Sequence, residues 1–236
     1  YTLTASPLHI VQEVIDNASD ECLAGYAKSV AVTLHGDGSV SVADDGRGIP
    51  VGPHPTEKLP VIELIFTRLH SGGKFDKGSG SAYKFAGGLH GVGVSVSNAL
   101  STRLECEVMR EGHNFSIAFE SGALAQKLKK TGGAKQSGTR IRLWPDAKFF
   151  DSGAITVAEL ERALRARAVL LPGVRLSLTI EKTAETKTWN YPDGLSGYLT
   201  EQLNGHELLV PLFPGEKYIA DGSGSDFAEG EGAAWC

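Results

Sequence analysis

The protein has 236 residues, of which 41% are hydrophobic and 22% charged, a composition typical of a folded globular chain and not of a disordered one. Its formal net charge of −5 argues against a bulk basic surface for gripping nucleic acid or membrane. No apolar run is as long as the about 18 residues that a membrane-spanning helix needs, and no signal peptide is visible.

The three cysteines, Cys22, Cys106 and Cys236, are too few and too irregularly spaced for a disulfide framework or a zinc site. They fit a reducing compartment, and we therefore expect a cytoplasmic protein. Because the chain begins at Tyr1 and not at a methionine, we also expect it to be part of a longer protein.

Helical and strand periodicities alternate along the chain and indicate an α+β fold. The predicted elements, in chain order, are a helix between Pro7 and Gly25, a hairpin of strands at 30–34 and 40–42, helices at 60–70 and 92–100, strands at 102–110, 113–120 and 138–144, a helix between Thr156 and Pro172, strands at 174–181 and 186–191, and a helix from Asp193 to Leu203. Residues 211–233 are expected to be loop. We predict a two-layer sandwich with a mixed, mostly antiparallel sheet and helices on one face.

Apolar residues at helical spacing predict the inward faces of three helices. They are Val11, Val14, Ile15, Ala18 and Cys22 in the first helix, Val61, Leu64, Ile65 and Leu69 in the second, and Leu160, Ala163, Leu164 and Val169 in the helix after Thr156.

The signatures of several common sites are missing from the sequence. There is no G-x-x-x-x-G-K-[ST] phosphate loop, no G-x-G-x-x-G after a strand, no G-x-S-x-G, no H-E-x-x-H and no C-x-x-C. These patterns argue against a P-loop enzyme, a Rossmann dehydrogenase, an elbow-type hydrolase and a structural zinc protein.

The first helix carries a polar stripe opposite its apolar face. Its members are His9, Glu13, Asp16, Asn17 and Asp20. An ordinary solvated face explains such a stripe. However, Glu13 and Asn17 lie one turn apart, so a carboxylate and an amide oxygen point to the same place, where they suit water activation and Mg²⁺ binding.

A second candidate feature is the sequence D-D-G-R-G-I-P at 44–50, directly after a predicted strand. It is either an ordinary strand-exit turn or a ligand site. In a ligand site, Asp44 presents a fixed carboxylate that accepts a hydrogen bond from an exocyclic amine such as that of adenine. Gly46 and Gly48 let a planar ligand approach the backbone.

A third feature is the glycine-rich, basic stretch from Ser71 to Gly93, which feeds a short helix. It is either a flexible linker or a phosphate-binding loop, because backbone N–H groups at a helix N-terminus bind anions. Together the three features describe one ligand, with adenine at Asp44, phosphates at the glycine loop, Mg²⁺ at Asn17 and a hydrolytic water at Glu13.

At these residues the chain resembles the ATP-binding domain of bacterial type IIA topoisomerases, whose fold is shared with heat-shock chaperones of ninety kilodaltons, histidine kinases and mismatch-repair ATPases. The matching motifs are E-V-I-D-N-A at 13–18, D-D-G-R-G-I-P at 44–50, L-H-S-G-G-K-F at 69–75, G-G-L-H-G-V-G-V-S-V at 87–96 and S-G-T-R-I-R-L-W-P at 137–145. The resemblance covers residues from about 8 to 205. It implies an ATP-binding domain at 1–210 and a tail at 211–236 that leads to a transducer domain.

Within this family the chain is more similar to topoisomerase IV B subunits than to gyrase B subunits. The segments that carry this similarity are W-P-D at 144–146, F-F-D at 149–151, L-P-G-V at 171–174 and Y-P-D-G-L at 191–195.

The resemblance also implies roles for individual residues, with ATP and Mg²⁺ as the bound groups. Glu13 would be the general base, with His9 as a candidate orienting partner, and Asn17 would bind Mg²⁺. The nucleotide-binding residues implied beside Asn17 are Glu21, Asp44, Arg47, Gly48, Ile49, Pro50, Lys74, Tyr83, Gly88, Leu89, His90, Gly91, Val92, Gly93, Arg110, Thr139 and Ile141. Among these, Asp44 would bind the adenine amine, Arg47 would pair with Glu21, and Arg110 would lie at the pocket mouth.

The resemblance further implies a topoisomerase A subunit and a second copy of the B subunit as partners, with DNA contacted mainly by the rest of the protein. The family's transducer lysine and N-terminal arm are not in this chain, so we expect it to be monomeric, to bind ATP and to hydrolyse it slowly. Two other classes remain open. They are a histidine-kinase-type phosphotransferase, disfavoured by the water-activating Glu13, and a chaperone-type ATP clamp.

Overall fold

The structure, a computed structural model, describes residues 6–69, 93–152, 154–219 and 232–236. Its helices are α1 (Leu8–Leu23), α2 (Val61–Thr67), α3 (Gly93–Ala99), α4 (Val157–Leu170) and α5 (Gly194–Gln202). Its strands are β1 (Ser29–Leu34), β2 (Val40–Asp44), β3 (Ser101–Arg110), β4 (His113–Glu120), β5 (Ala123–Gly133), β6 (Gly138–Pro145), β7 (Arg175–Ile180), β8 (Glu185–Trp189), β9 (Gly215–Tyr218) and β10 (Gly232–Trp235). None of the helices among these residues is both long and apolar enough to cross a membrane.

Eight strands form one sheet in the order β5-β4-β3-β6-β2-β1-β7-β8. Only β1 and β7 run parallel, while every other neighbouring pair in this sheet is antiparallel. The helices cover one face, so the predicted α+β sandwich with a mixed, mostly antiparallel sheet is confirmed. This order places the end of β2 directly beside the start of β6, which matters for the site.

Helix α1 lies at the centre of the helical layer, against β1, β2 and β6 and between α3 and α4. Its predicted apolar face is confirmed, because Val11, Val14, Ile15, Ala18 and Cys22 are all buried. The polar face is exposed less than the pattern predicts, since its predicted member Asp20 is also buried.

Helix α4 is capped as its sequence predicts. The Thr156 hydroxyl accepts a hydrogen bond from the Glu159 amide, and the Glu159 carboxylate accepts one from the Thr156 amide. This reciprocal capping box satisfies two backbone donors that the first helical turn leaves without partners. Leu160, Ala163 and Leu164 are buried as predicted.

Three predictions about the fold are wrong. Strand β5 was not predicted, because its side chains are mostly exposed and lack the alternation that marks a half-buried strand. The stretch 211–233, expected to be loop, contains β9 and the start of β10, which pair antiparallel. In α2 the buried face is formed by Ile62, Leu64 and Phe66, whereas the predicted Leu69 lies beyond the helix and is 62% exposed.

Two leucines of α4 test how much the helical layer depends on its buried face. Leu164 is fully buried and Leu170 is 74% exposed. We expect Leu164→Ala to lower the free energy of unfolding by about 2–5 kcal/mol, because it removes buried methyl groups and leaves a cavity. Leu170→Ala should change it by less than about 0.5 kcal/mol. Urea unfolding of both variants measures this difference, and equal losses would contradict the packing of α4 on the sheet.

Candidate functional site

One face of α1 carries three polar side chains at successive turns. Glu13, Asn17 and Glu21 are spaced four residues apart and are all half-buried. With a rise of 1.5 Å per residue, the row from Glu13 to Glu21 extends for about 12 Å along the helix axis. The row therefore lines an elongated site and does not converge on one point.

The Glu13 end of this row lies against the first residue of α3. The carboxylate oxygen Oε2 of Glu13 occupies the place where a side chain on Gly93 would begin, so only glycine fits there. One turn further on, the Ser97 hydroxyl donates a hydrogen bond of 2.8 Å to the carbonyl oxygen of Ile10. This bond ties α3 to α1 and keeps Gly93 beside Glu13.

The Glu21 end of the row lies against the end of β2. Asp44, the last residue of β2, is paired with Thr139 on β6. Its Oδ1 accepts a 2.8 Å hydrogen bond from the Gly46 amide. Burial raises the pKa of the Asp44 carboxyl to about 7, the Gly46 amide opposes this shift, and the nearby Glu21 carboxylate adds to it.

The neighbouring Asp45 has a different environment. Its Oδ1 accepts hydrogen bonds from the amides of Lys28 and Ser29, at 2.7 and 2.9 Å, and its Oδ2 accepts one from the Ser29 hydroxyl. Burial alone would raise the pKa of Asp45, but these bonds lower it below its usual value. Asp45 thus fastens the start of β1, and Asp44 is the carboxyl group that faces the site.

The loop after Asp45 is held down on the sheet at Gly48. This residue has a φ of +78°, and a Cβ there would lie 2.8 Å from the Met109 carbonyl oxygen and 3.1 Å from that of Gly138. The Gly48 carbonyl accepts a 2.7 Å hydrogen bond from Arg110 Nη1, and the next amide, of Ile49, donates to the Thr139 hydroxyl. Close backbone approach therefore requires glycine at 48.

Arg47 is fixed by two neighbours at the Glu21 end of the row. Its Nη2 donates to Glu21 Oε1 at 2.8 Å, and its Nε and its backbone amide both donate to Glu21 Oε2. Its guanidinium also lies 3.6 Å from the centre of the Tyr26 ring. A charge-assisted pair and a cation–π contact thus hold the Arg47 side chain in one orientation.

The two ends of the row offer complementary chemistry. A half-buried carboxylate and an amide oxygen lie one turn apart near Gly93, where they suit water activation and a hard cation. A buried carboxyl group and glycines with little room for side chains lie at the other end, where they suit a planar group with a hydrogen-bond donor. A ligand that extends for about 12 Å along α1 reaches both ends.

The structure brings together most of the predicted site residues that it describes. Glu13, Asn17, Glu21, Asp44, Arg47, Gly48, Ile49, Gly93, Arg110 and Thr139 lie along or at the ends of the row, Pro50 is exposed next to Ile49, and Ile141 is buried in the sheet two residues after Thr139. His9 packs edge-on against Phe150, and its orienting role stays a prediction. The predicted residues Lys74, Tyr83, Gly88, Leu89, His90, Gly91 and Val92 lie outside the described residues.

Sequence reasoning missed three residues that shape this site. They are Tyr26, which stacks on Arg47, Ser97, which ties α3 to α1, and Arg167 of α4, which pairs with Asp16 at 2.7 Å. Each contact joins segments that are distant or unrelated in the sequence pattern. Only for Ser97 was there a signal, a hydroxyl residue inside a short helix that directly follows the glycine-rich stretch.

Comparison with known proteins identifies the class to which this fold and site belong. Residues 4–148 match the family of histidine kinase-, DNA gyrase B- and HSP90-like ATPases, and the chain belongs to this family. It is 47% identical over 237 residues to the B subunit of DNA topoisomerase 4 from Escherichia coli K12, an alignment that covers all of this chain and 36% of that protein. The chain therefore spans about a third of the length of this curated relative.

Two solved structures are similar to the whole fold. The ATPase domain of Thermus thermophilus gyrase B, solved with an aminocoumarin, gives a TM-score of 0.80 at 32% identity and covers 93% of this chain and 57% of that one. The ATP-binding domain of Francisella tularensis topoisomerase IV, solved with a small-molecule inhibitor, gives 0.71 at 42% identity and covers 82% and 91%.

The two adjacent aspartates predict opposite effects of pH on stability. The pKa of Asp44 is raised, so its contribution to stability is complete below about pH 4 and is lost as the pH rises through about 7. We expect Asp44→Asn, a neutral isostere, to be more stable than the parent at pH 8, by up to about 4 kcal/mol, with the gap narrowing towards pH 5.

Asp45→Asn is the matched control. The pKa of Asp45 is lowered, so its contribution is present above the usual carboxyl pKa and is lost in acid, and this variant should be less stable at neutral pH. Urea unfolding at pH 5, 6.5 and 8 measures both variants. A gap for Asp44→Asn that does not change with pH would show that its carboxyl group titrates normally.

Proposed function

We propose that this chain is the ATP-binding and ATP-hydrolysing domain of a topoisomerase IV B subunit, formed by residues 1–210. The observation that carries the proposal is the row on α1, which starts at the Gly93–Glu13 contact and ends beside the buried Asp44 carboxyl group. A nucleoside triphosphate has the same order of groups, with a terminal phosphate at one end and a base carrying an amine at the other. The family match supports this reading.

Asp44 binds the adenine in this proposal. Its buried carboxyl group accepts a hydrogen bond from the exocyclic amine, and Thr139 and Gly48 support the same edge of the base. Because Gly46 and Gly48 carry no side chains, the base can lie close to the backbone. The Arg47 guanidinium, held by Glu21 at 2.8 Å, forms one wall, next to Pro50.

Glu13 acts as the general base. Its carboxylate accepts a proton from a water molecule that attacks the terminal phosphate, and the contact with Gly93 fixes the place of that carboxylate at the start of α3. Phosphoryl transfer requires mainly positioning and charge stabilisation, so a fixed base is more useful here than a mobile one.

Asn17 is the proposed Mg²⁺ ligand. Its amide lies between Glu13 and Glu21 on the half-buried face of α1, and amide and carboxylate oxygens are the donors that this hard cation prefers. Mg²⁺ usually binds one or two protein oxygens and completes its shell with phosphates and water, so the row fits it. When bound, the ion would neutralise charge on the phosphates.

The activity of the whole protein follows from its relatives and is part of the same proposal. ATP binding and hydrolysis would drive passage of one DNA duplex through another, in decatenation and relaxation, together with an A subunit and a second B subunit in the cytoplasm. Identity is 47% with the E. coli topoisomerase protein, against 32% with T. thermophilus gyrase B, and this difference favours topoisomerase IV over a supercoiling gyrase. Monomeric behaviour and slow turnover of the isolated chain stay predictions, as does the phosphate-binding set at 74–92.

A single substitution separates a hydrolase from a phosphotransferase or a clamp. Glu13→Gln should leave the affinity for an ATP analogue within about threefold of the parent, because size and shape are kept, and should lower turnover at least about 100-fold in the full-length protein. Glu105→Gln, the same change on the exposed side of β3, is the control. Phosphate release and calorimetry measure the two quantities, and normal turnover in Glu13→Gln would rule out Glu13 as the base.

The base-binding end has its own test. Asp44→Asn replaces an ionised acceptor at pH 8, and losing a hydrogen bond to a charged group commonly costs about 1.5–3 kcal/mol, which corresponds to at least about a tenfold weaker Kd. Calorimetry with an ATP analogue measures it, with the exposed Asp151→Asn as the matched control. Unchanged affinity in Asp44→Asn would refute the adenine assignment.

A further inference from the structure

Helix α1 packs on the sheet through apolar side chains, which do not by themselves fix how the helix is rotated. Val11, Val14, Ile15 and Ala18 are buried on that side. Burial of apolar surface is non-directional, so a small rotation about the helix axis costs little packing energy. The direction of the Glu13–Asn17–Glu21 row must then depend on directional polar contacts.

A small rotation matters for the chemistry of the row. An atom at the surface of a helix lies about 5–6 Å from its axis, so a rotation of about 10° moves it by about 1 Å. A displacement of that size at a reacting group lowers a rate by up to about 100-fold. The Glu13 carboxylate is more sensitive to this rotation than simple nucleotide binding is.

Three polar contacts of α1 fix its rotation. Near its start, the Ile10 carbonyl accepts the Ser97 hydroxyl of α3, and near its end Glu21 pairs with Arg47. The third contact lies between them, where Asp16 Oδ1 accepts a 2.7 Å hydrogen bond from Nε of Arg167 on α4. Asp16 is the residue directly before Asn17 and lies one turn after Glu13, so this contact is the nearest of the three to both.

The Arg167 side chain is itself held in place. Its Nη1 donates to the Ala163 carbonyl one turn earlier in α4, and its neighbours Leu164 and Ala168 are fully buried. The Asp16 and Arg167 side chains are 33% and 18% exposed, so the pair is shielded from water more than an ordinary surface ion pair. Arg167 therefore presents a fixed guanidinium to α1 from a rigid helix.

We propose that Arg167 is a positioning residue for ATP hydrolysis, which it serves by pairing with Asp16 and thereby fixing the rotation of α1 and the place of the Glu13 carboxylate. This inference rests on the proposed function. It also assigns a task to Asp16, which belongs to the predicted polar stripe but points away from the row. Charge matters as well as geometry, since Arg167 neutralises a carboxylate one turn from the phosphate-facing Glu13.

The test compares turnover with binding in the full-length protein. We expect Arg167→Leu and Asp16→Ala, which break the pair from opposite helices, each to lower kcat by about tenfold or more while the Kd of an ATP analogue changes by less than about threefold. Arg167→Lys keeps a cation within reach and should recover most of kcat. A general loss of structure would lower affinity and thermal stability together, and lysine would not restore kcat alone.

The control is a second ion pair on the same helix. Glu161 of α4 pairs with Lys187 of β8 at 2.6 Å, but this pair does not touch α1, and Lys187→Leu should leave kcat unchanged. Unchanged kcat in Arg167→Leu and Asp16→Ala, or an equal fall in Lys187→Leu, would overturn the positioning role. A parent protein that binds no ATP would instead overturn the proposed function, so the two failures are distinguishable.

Discussion

The site depends on one constraint, which is that a single helix must pack on the sheet with one face and present three polar groups along another. Helix α1 meets this constraint because its buried residues and the row Glu13, Asn17 and Glu21 fall on different sides of a 3.6-residue period. The sheet then sets where the row leads, since β2 ends at Asp44 beside the last residue of that row. A shift of α1 by one turn would move Glu13 away from Gly93 and Glu21 away from Gly46 at the same time.

The two aspartates at the end of β2 show how the fold gives different properties to identical residues. Asp45 is surrounded by donors from Lys28 and Ser29, which stabilise its charge, whereas Asp44 is buried next to the Glu21 carboxylate, which does not. Arg47 lies close by, but its guanidinium pairs with Glu21 and stacks on Tyr26. The local sequence alone cannot separate two adjacent carboxylates, because the difference comes from β1 and α1.

Much of the fold and the site could be predicted from the sequence where local pattern decides the structure. The buried face of α1, the β1–β2 hairpin and the capping box at Thr156 follow from periodicity and turn chemistry, and the Glu21–Arg47 pair follows from family resemblance. What could not be predicted depends on tertiary contacts. Strand β5 is stabilised by pairing with β4 and not by burial of alternate residues, and Arg167 meets Asp16 across 151 positions of sequence.

The raised pKa of Asp44 bears on the choice of ligand. A buried carboxyl group next to another carboxylate is costly to ionise, and a donor that bonds to its charged form lowers that cost. A neutral amine on a flat ring provides such a donor without bringing a second charge that would itself need to be desolvated. The cost of leaving the site empty therefore becomes part of the selectivity for a base with an exocyclic amine, and it is set by burial under the loop at 45–50 as much as by the carboxylate itself.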